Sequence, residues 1–240
     1  MKEENRFRKG FADGMPTCVG YFAVALAFGI FAIQSGLTVA EGVLISITNL
    51  TSAGQFAGVP IIAMGGTLVE LALAQLIINL RYALMSISLG QRLGPSVKFW
   101  QRFLIAFGNT DEVFAVATTR EELVGPRYMA GLILSPLLGW VGGTLAGCVA
   151  GSLLPDVVIA ALGMAIYGMF VAIVMPEMKK NRSVTGCVLI AIGISCLIRY
   201  IPVLNANIPS GFVVIICGVV ASAIMAAVAP ISEEEEGQHE

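Results

Sequence analysis

Charge is what this sequence has least of: only 12% of its 240 residues are Asp, Glu, Lys or Arg, while 57% are hydrophobic. A soluble domain carries about a quarter charged residues, so this chain has too few to cover a globular surface. Histidine is nearly absent, and the one that exists, His239, sits at the end of the chain. That excludes a Ser–His pair at membrane depth, and an HExxH zinc helix is missing as well. The five cysteines (Cys18, Cys148, Cys187, Cys196, Cys217) form no CxxC and lie in or beside apolar runs, so neither metal nor disulfide is indicated. No nucleotide-binding motif is present. The chain is expected to be no enzyme, to hold no cofactor or metal and to bind no nucleic acid.

What is present is a series of apolar runs of roughly twenty residues, the length that crosses a bilayer core. They fall near 15–36, 41–64, 67–89, 128–151, 156–176, 183–203 and 211–230, with a shorter run near 104–119. Only helices or closed barrels satisfy their backbone in lipid, and these runs are too long and continuous for barrel strands. The pattern predicts an all-α, polytopic transmembrane bundle of seven or eight spans, the first of them retained rather than cleaved. A basic segment, 1–14, precedes a single membrane domain, 15–231, and "SEEEEGQHE" (232–240) reads as a solvated acidic tail. Positive charge places the N-terminus, Arg120/Arg127 and "EMKKNR" (177–182) in the cytoplasm, yet eight crossings leave Arg92, Lys98 and Arg102 outside.

A faint internal repeat runs through the chain. "GYFAVALAFGIFA" (20–32) resembles "GWVGGTLAGCVAG" (139–151), "GQF" (54–56) pairs with "GMF" (168–170), and "NLRYA" (79–83) with "LIRYI" (197–201). Their collinear order suggests a duplicated three-helix unit, 15–90 and 128–204, a common plan in transporters.

Polar residues concentrate in three places. "SITNLTSAGQFAGVP" (46–60) puts Thr48, Asn49, Thr51, Ser52, Gly54, Gln55 and Pro60 inside the second run, either as a tightly packed interface or as a broken helix whose freed N–H groups near Gly54–Gln55 face an anion. The third run carries Glu70, Arg81 and Ser88 on one face and Gln75, Asn79 and Ser86 on the other at about 100° per residue. Two opposed polar stripes predict a helix enclosed by others. Arg81 at bilayer depth needs a protein partner, a ligand or a route to the interface. "IAFGNTDEVFAVATTREE" (105–122) offers Asp111 and Glu112 behind Thr110, an N-cap signal in water, or buried carboxylates that pair with Arg81 or carry a proton. Arg199 is expected to snorkel, and Glu41 and Asp156 to cap helices.

Four blocks in order, "GYFAVALAFGIFAIQSGLT", "SAGQFA" (52–57), "INLRYALMSISLG" (78–90) and "FGNTDEVFAVA" (107–117), resemble the AzlC-like family, the large subunit of branched-chain amino acid exporters. The resemblance covers about residues 8 to 230. It implies a bacterial inner-membrane permease that exports valine, leucine and isoleucine with a small AzlD-like membrane partner, coupled to the proton gradient. Tyr82 stands where many relatives are expected to have histidine, which removes an intramembrane imidazole. For an apolar amino acid, Arg81 or the helix break (Ser52, Gly54, Gln55), with Asn79 nearby, would receive the carboxylate. Asp111, Glu112 or Glu70 would receive the amine or the driving proton. A channel for another small solute and a membrane-embedded enzyme are the alternatives.

Overall fold

The computed structural model describes residues 3–153, 155, 168, 171, 174–176 and 178–229. Four helices among them are long and apolar enough to cross a membrane: α1 (Phe7–Gln34), α4 (Leu68–Arg92), α7 (Pro126–Leu153) and α8 (Arg182–Tyr200). This corrects the expected seven or eight spans. The expected run at 156–176 lies almost wholly outside the described residues, as do Asp156 and the tail 232–240, so the second copy of the expected repeat is described only in part. The run at 41–64 and that at 104–119 are each two short helices: α2 (Val39–Thr48) with α3 (Ser52–Ala63), and α5 (Phe99–Phe107) with α6 (Asp111–Thr118). The chain divides into two compact units, residues 1–59 with 78–163, and residues 60–77 with 164–240.

In the first unit α1 and α7 form the axis. Small residues recur on α7 every fourth position, at Gly131, Ser135, Gly139, Gly143, Gly147 and Gly151, and all six are buried. Such spacing lets two helix backbones approach closely in lipid, where packing rather than hydrophobicity holds helices together. A Cβ on Gly139 or Gly147 would strike the backbone of Cys18 or Leu26 of α1, and one on Gly10 that of Tyr128. At 28 residues each, both helices span about 42 Å.

The two broken runs are helical hairpins that enter from opposite ends of this axis. In the first, Gly42 of α2 faces Cys148 near the C-terminal end of α7, and Ser46 bonds Thr144 one turn deeper at 2.7 Å. Leu50, at the tip, packs with Ala25 and Trp140 near the middle of both axial helices. From there α3 turns back, for Phe56 lies against Phe28 and Phe31 toward the end of α1. The second hairpin mirrors this path. Val113 and Ala117 of α6 pack with Tyr128, Met129 and Leu132 in the first half of α7, and Arg120 just beyond α6 reaches back to Asp13 in the second turn of α1.

A minimal sheet marks the end where the second hairpin enters. Strand β1 (Glu3–Glu4) pairs in parallel with β2 (Leu123–Val124), and Leu93 bridges to Val124. The N-terminus, the loop after α4 and the loop after α6 therefore share one end. Arg6, Arg8, Lys9, Arg92, Lys98, Arg102, Arg120 and Arg127 all sit in or beside these segments, so the conflict over Arg92, Lys98 and Arg102 disappears once the hairpins do not cross.

Glu4 pins this corner. Its carboxylate accepts from Arg6 Nε at 3.0 Å and Nη2 at 2.9 Å, and Lys9 stands 3.8 Å away. The Arg6 hydrogen bond holds its pKa down to about 2, against desolvation that opposes the shift. A depressed carboxylate contributes stability that is complete above its unfolded value and is lost as pH falls through its folded value. The protection factors of the amides at residues 3–6, taken relative to the unstructured chain at the same pH, should thus hold above pH 4.5 and fall as pH drops toward 2. Glu4→Gln should show the low protection factors at every pH.

In the second unit, α8 packs against α9 (Pro202–Asn207) and α10 (Ser210–Val228), and the start of α4 belongs to the same unit.

Candidate functional site

The two hairpin tips meet at the middle of the α1–α7 axis. Tyr21 and Trp140, the fifteenth residues of their helices, contact edge to face at 5.1 Å between ring centroids. Leu50 of the first tip packs on this pair, and the Tyr21 hydroxyl hydrogen-bonds Glu112 of the second. Between the tips lies a cavity of about 180 Å³, lined by Thr48, Asn49 and Thr51 of one hairpin, Phe107, Asn109 and Thr110 of the other, and Asn79 and Tyr82 of α4. It is smaller than the ~300–1,000 Å³ of drug-sized sites and suits one small solute.

Local sequence explains both breaks. At the first, Asn49 leaves the helix with extended backbone. Its Oδ1 accepts the Thr51 N–H at 3.1 Å, and Thr51 Oγ1 accepts the Gly54 N–H at 3.2 Å, so an Asx turn runs into an N-cap. The N–H groups of Gly54 and Gln55 are consequently taken, by Thr51 Oγ1 and Thr51 O, and are not the exposed donors expected from the sequence. The break itself falls at 49–51, and Pro60 lies within α3. At the second break, Gly108 ends α5 where Ile133 of α7 leaves no room for a Cβ. Thr110 holds the N-cap position of α6 with extended backbone but makes no side-chain cap bond. Asp111 and Glu112 fill the first turn of α6, where the helix dipole favours carboxylates.

Arg81, the fourteenth residue of α4, forms an ion pair with Asp111, Nη2 to Oδ2 at 2.8 Å. It also donates to the Tyr82 hydroxyl at 3.1 Å, with its guanidinium 4.9 Å from that ring. The pair is open on one side: the side chains are 57% and 45% exposed. Leu80, Leu84 and Ile87 beside it are exposed as well, so α4 is not enclosed as its two polar stripes suggested.

Behind the first tip runs a buried polar chain. Thr144 and Ser46 share a hydrogen bond at 2.7 Å, and Gln55 Nε2 donates to Ser46 Oγ at 3.4 Å and to the Asn49 carbonyl. It ties α7, α2 and α3 together across the break. On the cavity wall Asn109 donates to Ser86 at 3.3 Å, while its buried Oδ1 has no hydrogen-bond donor among the described residues. Buried acceptors are nearly always satisfied, so this one marks a place for a donor from a ligand or water.

Arg81 pairs with Asp111, Glu112 bonds Tyr21 at the same tips and Asn79 lines the cavity, whereas Gln55 lies in the polar chain behind the first tip and Ser52 and Gly54 open α3 outside the cavity lining. Glu70 belongs to the second unit. Tyr21, Asn109, Ser46 and Thr144 escaped the sequence reading. Asn109 had a visible signal, since Asn49 and Asn109 head the two polar interruptions; Tyr21 and Thr144 stand alone in apolar runs and had none.

The protein defined by this fold is a multi-pass membrane protein with two opposed helical hairpins meeting at a small polar cavity. It belongs to the AzlC family: the family described as AzlC protein matches residues 16–154, the stretch that holds the whole site. An "Uncharacterized membrane protein" of Archaeoglobus fulgidus is 34% identical over 178 residues, 73% of this chain and 78% of that relative. "Inner membrane protein YgaZ" of Escherichia coli is 32% identical over 184 residues, covering 74% and 75%. An "Uncharacterized membrane protein" of Helicobacter pylori is 24% identical over 199 residues, covering 80% and 86%. No solved structure matches the chain.

Proposed function

We propose that this chain is the large subunit of a secondary exporter of branched-chain amino acids in the bacterial inner membrane. The observation that carries the reading is the meeting of the two hairpin tips beside the half-open Arg81–Asp111 pair. Broken helices at mid-depth are where transporters place their substrates. An amino acid entering between Arg81 and Asp111 offers a carboxylate to the guanidinium and an ammonium to the carboxylate, so both charges keep a partner while the ion pair opens. Asn109 Oδ1 gives a further acceptor for the ammonium, and Asn79 and Thr51 line the cavity beside the pair. Glu112, held by Tyr21, is the group we assign to the driving proton.

A small AzlD-like membrane subunit is the expected partner. An ion pair exposed at mid-helix beside Leu80, Leu84 and Ile87 is a poor surface for lipid, and a second subunit would cover it. The test is efflux of radiolabelled leucine from preloaded cells, with this chain alone and with the partner, adding a proton uncoupler midway. Saturable efflux that needs both chains and stops with the uncoupler is expected; no efflux in any combination refutes the assignment.

The clustering of basic residues supports an orientation as well. Arg6 to Lys9, Arg92 to Arg102 and Arg120 to Arg127 share one end with the N-terminus, and the excess of positive charge there favours the cytoplasm for that end. In a cysteine-free background, Ser96→Cys and Glu121→Cys should both resist a membrane-impermeant maleimide in intact cells, and Ser35→Cys should react. Labelling of Ser96→Cys from outside would overturn this topology.

A further inference from the structure

A second cavity, of about 620 Å³, lies within the second unit at the ends of helices rather than at mid-depth. Glu70, the third residue of α4, and Arg199, next to last in α8, both line it, with Asn205 and Asn207 of α9 and an apolar wall that includes Ile198 and Val213. The Glu70 side chain is buried, 3% exposed. Its N–H donates to Thr67 Oγ1 at 3.1 Å, and its Oε2 lies close over Gly66, 3.0 Å from where a Cβ there would stand. Arg199 forms no ion pair among the described residues, and its Nη1 donates to Asn205 Oδ1 at 3.5 Å. A cavity with a seated carboxylate on one wall, an unneutralised guanidinium on another and amides between them matches neither a lone cation nor a lone anion.

We infer that this cavity binds a small zwitterion, its primary ammonium on Glu70 and its anionic group on Arg199, with Asn205 and Asn207 supplying neutral hydrogen bonds. The volume falls in the ~300–1,000 Å³ range of small-molecule sites. A free α-amino acid carries both groups, and for that ligand the inference rests on the export reading: the cavity holds substrate at the membrane edge, apart from the Arg81 site. An ethanolamine phospholipid headgroup carries the same two charges.

The full chain is purified and placed in nanodiscs of phosphatidylcholine alone. Binding of radiolabelled L-leucine is measured by equilibrium dialysis, and phosphatidylethanolamine retained from the host membrane is quantified. Glu70→Gln and Arg199→Gln should each at least halve the leucine bound at saturation without changing the thermal melt, and Arg199→Lys, which keeps the cation, should retain most of it. Leucinamide and 4-methylpentanoate, each lacking one charge, should compete at least about tenfold more weakly. Ethanolamine lipid retained by the wild type and lost in both neutral variants would equally establish the zwitterion site, with the headgroup as its occupant. Leucine binding and lipid retention both unaffected by the two neutral substitutions would overturn the inference. The cellular efflux assay reports on the export reading separately, so either can fail while the other stands.

Discussion

Arg81→Lys will reach the membrane at near wild-type level and lose leucine efflux by at least about tenfold, because an ammonium keeps the charge but not the planar two-pronged geometry that receives a carboxylate. The other substitutions at this pair separate its two roles. Neutralising one member strands the other: Arg81→Gln leaves Asp111 alone and Asp111→Asn leaves Arg81 alone at mid-helix, where insertion scales put a lone charge at about 2.5–3.5 kcal/mol. Each single variant should therefore lower the yield of folded protein. The double variant Arg81→Gln, Asp111→Asn should recover the yield, since no charge is left without its partner. Efflux should not recover, because neither end of an amino acid would find its counter-charge. If the double variant transports leucine, the pair only holds the second hairpin to α4. If Arg81→Lys transports at the wild-type rate, the guanidinium does not read the carboxylate.

Hydropathy made the membrane character of this chain legible, and it also misled the count of spans. It reports whether a stretch is apolar, not whether the chain continues through or turns back. Residues 39–63 are as long and apolar as a crossing helix, and the polar run around Asn49–Thr51 signals a break without saying that the chain turns back. The stronger warning was electrostatic: eight crossings stranded Arg92, Lys98 and Arg102 on the wrong side, and the hairpins remove that conflict. Arg81 and Asp111 were paired candidates because charge at that depth demands a partner, and they stand 2.8 Å apart. Their exposure was not legible, since a helical wheel places polar residues on faces without saying what lies opposite. Tyr21 was invisible for a related reason. A lone tyrosine in an apolar run gains its meaning from Glu112, 91 residues away.

The largest structural effect should come from a residue that supplies no polar group to the cavity. Gly143→Leu adds a side chain where a Cβ alone would meet Phe22 Cα at 2.9 Å and Ala25 Cβ at 3.0 Å, and would collide with the Phe22 carbonyl. Overpacking a core against movable side chains costs about 1–3 kcal/mol; here the obstacle includes the backbone of α1, so relief requires the two axial helices to part, and the cost should reach or exceed that range. Parting them removes the support of both hairpins at once, since Leu50 packs on Ala25 and Trp140, and Glu112 bonds Tyr21. Detergent-solubilised Gly143→Leu should run as aggregate on fluorescence-detected gel filtration. The adjacent Gly142→Leu is the control. A Cβ there meets only the Phe22 ring, at 3.9 and 4.0 Å, so the same leucine one residue away should elute and melt like the wild type. Equal damage from both would mean that α7 is sensitive to bulk anywhere along it, and that close backbone contact with α1 is not what holds the axis together.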